Sequence, residues 1–213
     1  EEGATGVAVQ LADLLLEPTC PALERLESQA LQIAERLERS PLQTKVESHG
    51  VRVQRASFQP LWSALVHVVR NAIDHGIEGP EERLDAEKNV EGTLSIHTCV
   101  EDGSLIVTIE DDGRGIDWDR VREKAQQCDL PHATRDDLIT ALFATEFTTR
   151  DSVSELSGRG VGLAAVADVM ESLKGSISVT STPGEGTRMQ FQVPLNSPSS
   201  QTHPDSVKSG LPS

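Results

Sequence analysis

Four side chains between positions 67 and 75 are of types that could do chemistry together. His67, Asn71, Asp74 and His75 recur at i, i+4, i+7 and i+8. On a helix turning about 100° per residue that spacing gathers them on one face. Leu61, Leu65, Val68, Val69, Ala72 and Ile73 fill the opposite, apolar arc. A solvated helix face is ordinarily covered with Lys and Glu; this one carries an amide, two imidazoles and a carboxylate. Such groups ligate a hydrated cation and hold a proton. Taken alone, the pattern fits equally well a helix whose polar side is merely short-chained.

Two glycine turns shift that balance. The first, Asp111-Asp112-Gly113-Arg114-Gly115-Ile116-Asp117, follows a run ending at Glu110 that reads as a strand. Its glycines make a turn without side chains, where a flat ligand can reach the backbone. A carboxylate there can accept from an exocyclic amine such as that of adenine. A plain acidic turn is the simpler reading of this motif by itself. An EF-hand fails, because the later oxygen ligands and the closing Glu are missing at their spacings. The second turn, Ser157-Gly158-Arg159-Gly160-Val161-Gly162-Leu163, opens a helix, where free backbone N–H groups point at an anion. No Gly-Lys-Ser/Thr follows, which excludes a Walker loop, and no strand leads into it, which weakens a Rossmann fingerprint. A lone GxGxG says little; its order after the asparagine helix and the acidic glycine turn is what makes it specific.

The elements that must position these groups follow from periodicity. Residues 7–16 are apolar enough for a short helix ahead of Pro18. Leu23, Leu26, Ala30, Ile33 and Leu37 form a narrow heptad seam ending before Pro41, which suits packing inside the domain or against a second copy. Short strands are expected at 44–47 and 51–55 around His49-Gly50, as a hairpin or near-hairpin. The helix 58–75 stops at Gly76. Residues 79–90 read as charged and irregular, with a helical turn or two at 81–87. Alternation predicts a hairpin of 93–100 with 104–110 across Asp102-Gly103, and another of 176–181 with 187–193. Helices are expected at 118–127, 135–144 and 162–173, and a loop rich in hydroxyls at 145–157. Helices mixed with antiparallel hairpins argue for an α+β fold: a two-layer sandwich with a mixed, mostly antiparallel sheet and helices on one face.

Composition narrows the function classes. The 213 residues carry 34 acidic and 19 basic side chains, net −15, without a Lys/Arg run to track phosphates. Nucleic acid and anionic membrane are therefore poor partners. No apolar run approaches the ~20 residues of a membrane span, and no signal peptide is recognised. The chain begins at Glu1 rather than Met and reads as a piece of something longer. Cys20, Cys99 and Cys128 are too scattered for a CxxC motif and suit a reducing, cytoplasmic setting. Three segments are expected: residues 1–40, an N-terminal helical linker or partial dimerisation region; 41–195, the main domain; and 196–213, a disordered Ser/Pro-rich tail.

The order of the three motifs resembles the ATP-binding (Bergerat) fold shared by histidine kinases, type II topoisomerases, mismatch-repair ATPases and heat-shock ATPase chaperones. Within that group the chain is similar to the CheA-type chemotaxis histidine kinases. HVVRNAIDHGIE with GPEERL after it resembles their N box, IEDDGRGID the first glycine box, LFATEFTT the F box, LSGRGVGLAAV the second glycine box and GEGTRMQFQVPL the final strand. The likeness runs over about residues 42–195.

This resemblance implies roles residue by residue. Asn71 would ligate Mg²⁺ bridging the phosphates of ATP. Asp111 would accept from the adenine amine, with Gly113, Gly115 and Ile116 at the base and Thr187 supporting that contact. Gly158, Arg159, Gly160, Val161, Gly162 and Leu163 would line the triphosphate. Asp74, His75 and Arg70 are further nucleotide candidates, and Arg150 and Arg159 candidate charge-stabilisers. His67 stands where hydrolysing relatives carry a Glu that activates water, so orientation or proton handling during phosphoryl transfer fits it better. The F box carries Glu146 where a small residue is usual. No histidine here sits in a phosphotransfer helix bundle, so the acceptor should be a histidine on another domain, or elsewhere in a longer chain, with a response regulator downstream. A homodimer is a further implied partner. A nucleotide-binding regulatory module and an ATP hydrolase of the same superfamily are the competing expectations.

Overall fold

The computed structural model describes residues 16–39, 41–147 and 162–195. Expectations for positions 7–15, for the expected loop from 148 to 157, for the second glycine turn as far as 161 and for the tail 196–213 lie outside the described residues. In chain order the elements are β1 (Leu16–Pro18), α1 (Cys20–Arg36), β2 (Leu42–Glu47), β3 (Arg52–Gln54) and α2 (Arg55–Asn71). A π-helical turn, Ala72–Gly76, prolongs α2 and leads to α3 (Pro80–Asp85). Then come β4 (Gly92–Glu101), β5 (Ser104–Asp111), α4 (Trp118–Gln127), α5 (Arg135–Leu142), a 3₁₀ turn Thr145–Phe147, α6 (Leu163–Ser172), β6 (Ser176–Thr182) and β7 (Gly186–Pro194).

Five strands form one sheet in the order β2-β4-β5-β7-β6; β2 and β4 run parallel and every other pair is antiparallel. The sheet's apolar face presents Leu94 and Ile96 from β4, Leu105, Val107 and Ile109 from β5, and Phe191 and Val193 from β7. Against it α2 sets Leu61, Leu65, Val68 and Val69, the apolar arc read from the sequence. Helix α6 adds Val166 and Met170, and α1 turns Leu23, Leu26, Ala30 and Ile33 inward to the same core. The heptad seam is thus buried within the chain. Each of the Leu, Ile, Val, Phe and Met side chains contributes about 1.5–3 kcal/mol when fully removed from water.

Two expectations of local structure differ from what is found. The segments around His49-Gly50 do not pair with each other. β2 joins β4 in parallel, Leu42 opposite Gly92 through Glu47 opposite His97, while β3 pairs antiparallel with β1. Leu42 and Val46 pack on the main core, which a two-stranded hairpin could not offer them. His49 and Gly50 both take positive φ, 48° and 68°, to turn the chain out of the sheet. The second difference is the π-helical turn. Ile77 N–H bonds the Ala72 carbonyl at 2.7 Å, five residues back. That widened turn re-aims Asp74 and His75 relative to a regular helix.

Candidate active site

Where α2 runs into its π turn, the end of β5 and the start of β7 meet. A cavity of about 540 Å³ opens there, within the usual size of a ligand site. The last residue of α2 contributes Asn71 and the π turn Asp74, His75 and Gly76; β5 contributes Ile109 and Asp111; the first glycine turn contributes Arg114, Gly115, Ile116 and Asp117. Leu163 at the start of α6, and Thr187 and Met189 of β7, complete one wall. Most of the residues expected to act together are therefore brought together. His67 is not among the lining residues; it sits partly buried one turn before Asn71. Burial, reinforced by the nearby Arg70, holds its imidazole below the usual histidine range. Gly162 caps α6 beside Leu163. Gly158, Arg159, Gly160, Val161 and Arg150 lie outside the described residues, as does the Glu146 side chain.

Asp111 forms the floor. Only 7% of it is exposed. Burial pushes its carboxyl up to about 7, and the neighbouring charges of Asp112 and Glu78 add to this. The backbone N–H groups of Gly113 and Thr187 pull the other way; Gly113 donates to Oδ1 at 3.0 Å. A carboxylate so held offers its remaining acceptor sites to the cavity, as recognition of an amine requires.

Of the two glycines expected to admit a base, Gly115 lines the cavity while Gly113 serves packing. Gly113 is buried and does not line the cavity; a Cβ there would collide with the Gly76 carbonyl. Arg114 N–H donates to that same carbonyl at 2.9 Å. The first glycine turn is thus seated backbone to backbone on the π turn. Gly186, at φ 114°, lets β7 cross against the Asp111 carbonyl, which any side chain would block.

Several contributors carried no recognisable sequence signal. Ser181 Oγ accepts from Ile116 N–H at 2.8 Å, donates to the Gly186 carbonyl at 2.9 Å, and lies 3.0 Å from Thr187 Oγ1. It therefore ties the glycine turn to the β6–β7 hairpin. Arg120, Val121 and Lys124 reach the cavity from α4, whose N-terminus is capped by Asp117 accepting from Asp119 and Arg120 N–H. Lys124 Nζ lies 4.9 Å over the ring of Phe147, which also lines the cavity. Arg39, Arg114, Arg120 and Lys124 oppose Asp74, Asp111 and Asp117 in that lining. A chain of net charge −15 thus still gives an anion a partly basic mouth.

Behind the floor lies a buried ionic knot. Arg83, 1% exposed, donates Nη1 to Glu78 at 3.0 Å and Nη2 to Asp112 at 2.9 Å. Its Nε bonds the Asn89 carbonyl at 2.7 Å. Lys88 Nζ bridges Glu78 at 2.7 Å and the carbonyls of Asp112 and Gly113 at 3.0 and 2.8 Å. The knot locks α3 and the following loop onto the glycine turn.

Among the described residues no cluster of three or more His, Cys, Asp or Glu could hold a metal ion. One amide oxygen from Asn71 remains a suitable donor for Mg²⁺, which keeps most of its waters and takes phosphate oxygens from its substrate. No helix among the described residues is long and apolar enough to cross a membrane.

Comparison with known proteins agrees with this geometry. The family described as histidine kinase-, DNA gyrase B-, and HSP90-like ATPase matches residues 60–197. The chain is 33% identical over 183 residues to the chemotaxis protein CheA of Rhizobium meliloti (strain 1021), covering 84% of this chain and 24% of that protein. It is 39% identical over 159 residues to the chemotaxis protein CheA of Halobacterium salinarum, covering 70% and 23%. With the gliding motility regulatory protein of Myxococcus xanthus it shares 38% identity over 155 residues, covering 70% and 20%. The chain thus spans about a quarter or less of the length of these relatives. Among solved structures, the catalytic domain of the histidine kinase ThkA shares the fold, with a TM-score of 0.56 at 16% identity over 84% of this chain and 94% of that one. The matched segment contains the Asn71 turn, Asp111 with its glycine turn, and the α6 start, so the chain belongs to the family of histidine kinase-, DNA gyrase B- and HSP90-like ATPases.

Proposed function

We propose that this chain is the catalytic unit of a Mg·ATP-dependent protein-histidine kinase of the CheA type. It would transfer the γ-phosphoryl of ATP to a histidine on a phosphotransfer domain, from which it passes to an aspartate of a response regulator. The observation that supports this most is the placement of Asp111: a buried acceptor on the cavity floor, one wall away from Asn71. The floor takes the adenine amine. Asn71, Asp74 and His75 then face the phosphate half of the nucleotide, with the glycine-opened start of α6 beside them. Mg²⁺ held by Asn71 would supply charge neutralisation across the phosphates.

The chain's own residues do the positioning. Arg120 and Lys124 bring positive charge to the mouth, where charge on the departing phosphates is stabilised electrostatically. His67, neutral at pH 7 because burial lowers its pKa, can orient Asn71 or accept a hydrogen bond without charging. Lacking a carboxylate at that position, the site is poorly equipped to activate water.

Incubating the chain with γ-labelled ATP, Mg²⁺ and candidate phosphotransfer domains tests the reading. Acid-labile label on a histidine of the added domain is the expected result. Free phosphate alone would turn the assignment into a hydrolase, and tight nucleotide binding without either product into a regulatory module. Asn71→Ala is expected to remove the Mg²⁺-dependent part of ADP affinity and to cut transfer at least a hundredfold. Transfer at the wild-type rate would refute the metal role.

A further inference from the structure

One cation at the cavity mouth precedes residues 60–197, where the family model matches. Helix α1 ends at Arg36, and Glu38, in the left-handed region at φ 56°, turns the chain sharply. Arg39 N–H bonds back to the Ala34 carbonyl at 2.8 Å, which fixes where the side chain starts. From there Arg39 reaches the cavity lining beside His75, Gly76 and Arg114. Gly79 makes room for it: a Cβ at that position would stand 3.1 Å from Arg39 Nη1.

The guanidinium is underused where it lies. Its Nε is buried and has no hydrogen-bond partner among the described residues. Its Nη1 is 3.5 Å from Glu82 Oε2, a long ion pair. That same oxygen already accepts from Arg114 Nη2 at 3.0 Å and from Gly79 N–H at 3.1 Å. A guanidinium with a buried, unanswered donor costs free energy. The side chain as a whole is 26% exposed and lines the cavity, so its remaining guanidinium donors can meet an acceptor there.

We propose that Arg39 is a ligand of the bound nucleotide, donating to an acceptor oxygen or nitrogen on it, while Glu82 parks Arg39 and Arg114 at the mouth until that acceptor arrives. The proposal rests on the reading of the cavity as an adenine-nucleotide site. It makes the turn that follows α1, which precedes the matched residues 60–197, part of the nucleotide site.

The test titrates ADP with Mg²⁺, and separately adenosine, into the full 213-residue chain by calorimetry, with thermal unfolding of each variant measured in parallel. Arg39→Ala and Arg39→Gln are expected to weaken ADP about tenfold at an unchanged unfolding midpoint. Glu82→Gln, which keeps the acceptor for Gly79 N–H but drops the charge that competes for the arginines, is expected to leave ADP affinity unchanged or tighter. A loss confined to ADP places the acceptor on the phosphates, and an equal loss with adenosine places it on the nucleoside; both support the assignment. Wild-type ADP affinity in both Arg39 variants overturns it. So does a tenfold loss in Glu82→Gln, because the three residues would then matter only as scaffolding. If the wild-type chain itself fails to take up ADP, the nucleotide reading of the cavity falls, which is a different failure.

Discussion

Asp111→Asn is expected to stabilise the empty chain at pH 8 and, in the same molecule, to weaken adenine-nucleotide binding by at least tenfold. The folded-state carboxyl sits at about 7 against an ordinary 3.8. A folded-state pKa above the unfolded one means that the folded chain holds a proton the unfolded chain releases between about pH 4 and pH 7. Wild-type stability should therefore fall as pH rises through that window and level off above pH 8. About three pK units would be worth at most about 4 kcal/mol. The amide cannot recover all of it, because its NH₂ also needs a partner, so a gain of about 1–2 kcal/mol is expected. At about 2–4 °C per kcal/mol for a chain of this size, the variant should melt several degrees higher at pH 8. The gap should close towards pH 5. A gap that is constant with pH would mean that the buried charge is not its source. The binding loss has the opposite sign because a charge-assisted acceptor becomes a neutral one of ambiguous orientation.

Arg83→Met should be the most damaging single change outside the cavity. It leaves Glu78, 7% exposed, with Lys88 as its remaining side-chain partner among the described residues, and takes the guanidinium from Asp112, which keeps the Thr93 N–H on Oδ1. Breaking one partner from a buried ionic network costs about 3–5 kcal/mol. The unfolding midpoint should fall by about 10 °C, and nucleotide affinity should drop because the glycine turn loses its anchor. Adding Glu78→Gln to Arg83→Met should restore part of the loss by removing the stranded carboxylate. A double variant no more stable than Arg83→Met would show that the knot acts through packing alone.

The sequence was most readable where one periodicity covered a whole element. The apolar arc of α2 and the alternation in β4, β5, β6 and β7 correspond to the observed helix and hairpins within a residue or three. Asp111 and Asn71 were legible because their types are unusual for a strand end and a helix face. What stayed hidden depends on contacts between distant positions. β2 chose Leu94 and Ile96 of β4 over the nearer β3 because only the sheet could cover Leu42 and Val46. The π turn leaves the residue types of a helix unchanged and alters only their spacing in space. Arg83 looked like one more charge in an acidic, irregular stretch, and Ser181 like any strand serine. Arg39 gave no sign, since its value comes from a left-handed residue before it and a glycine forty positions later.

The register of β5 has a consequence for biosynthesis. Asp111 lies opposite Thr187, so the floor of the pocket is finished only when the last hairpin arrives. A nascent chain paused after α4 would already possess Asn71 and Asp111, the latter held by β4 and by Gly113 N–H but not yet by Thr187. The pocket wall is completed by the last strand of the fold, and a truncated product lacking it would be left without Thr187 and Met189 beside Asp111.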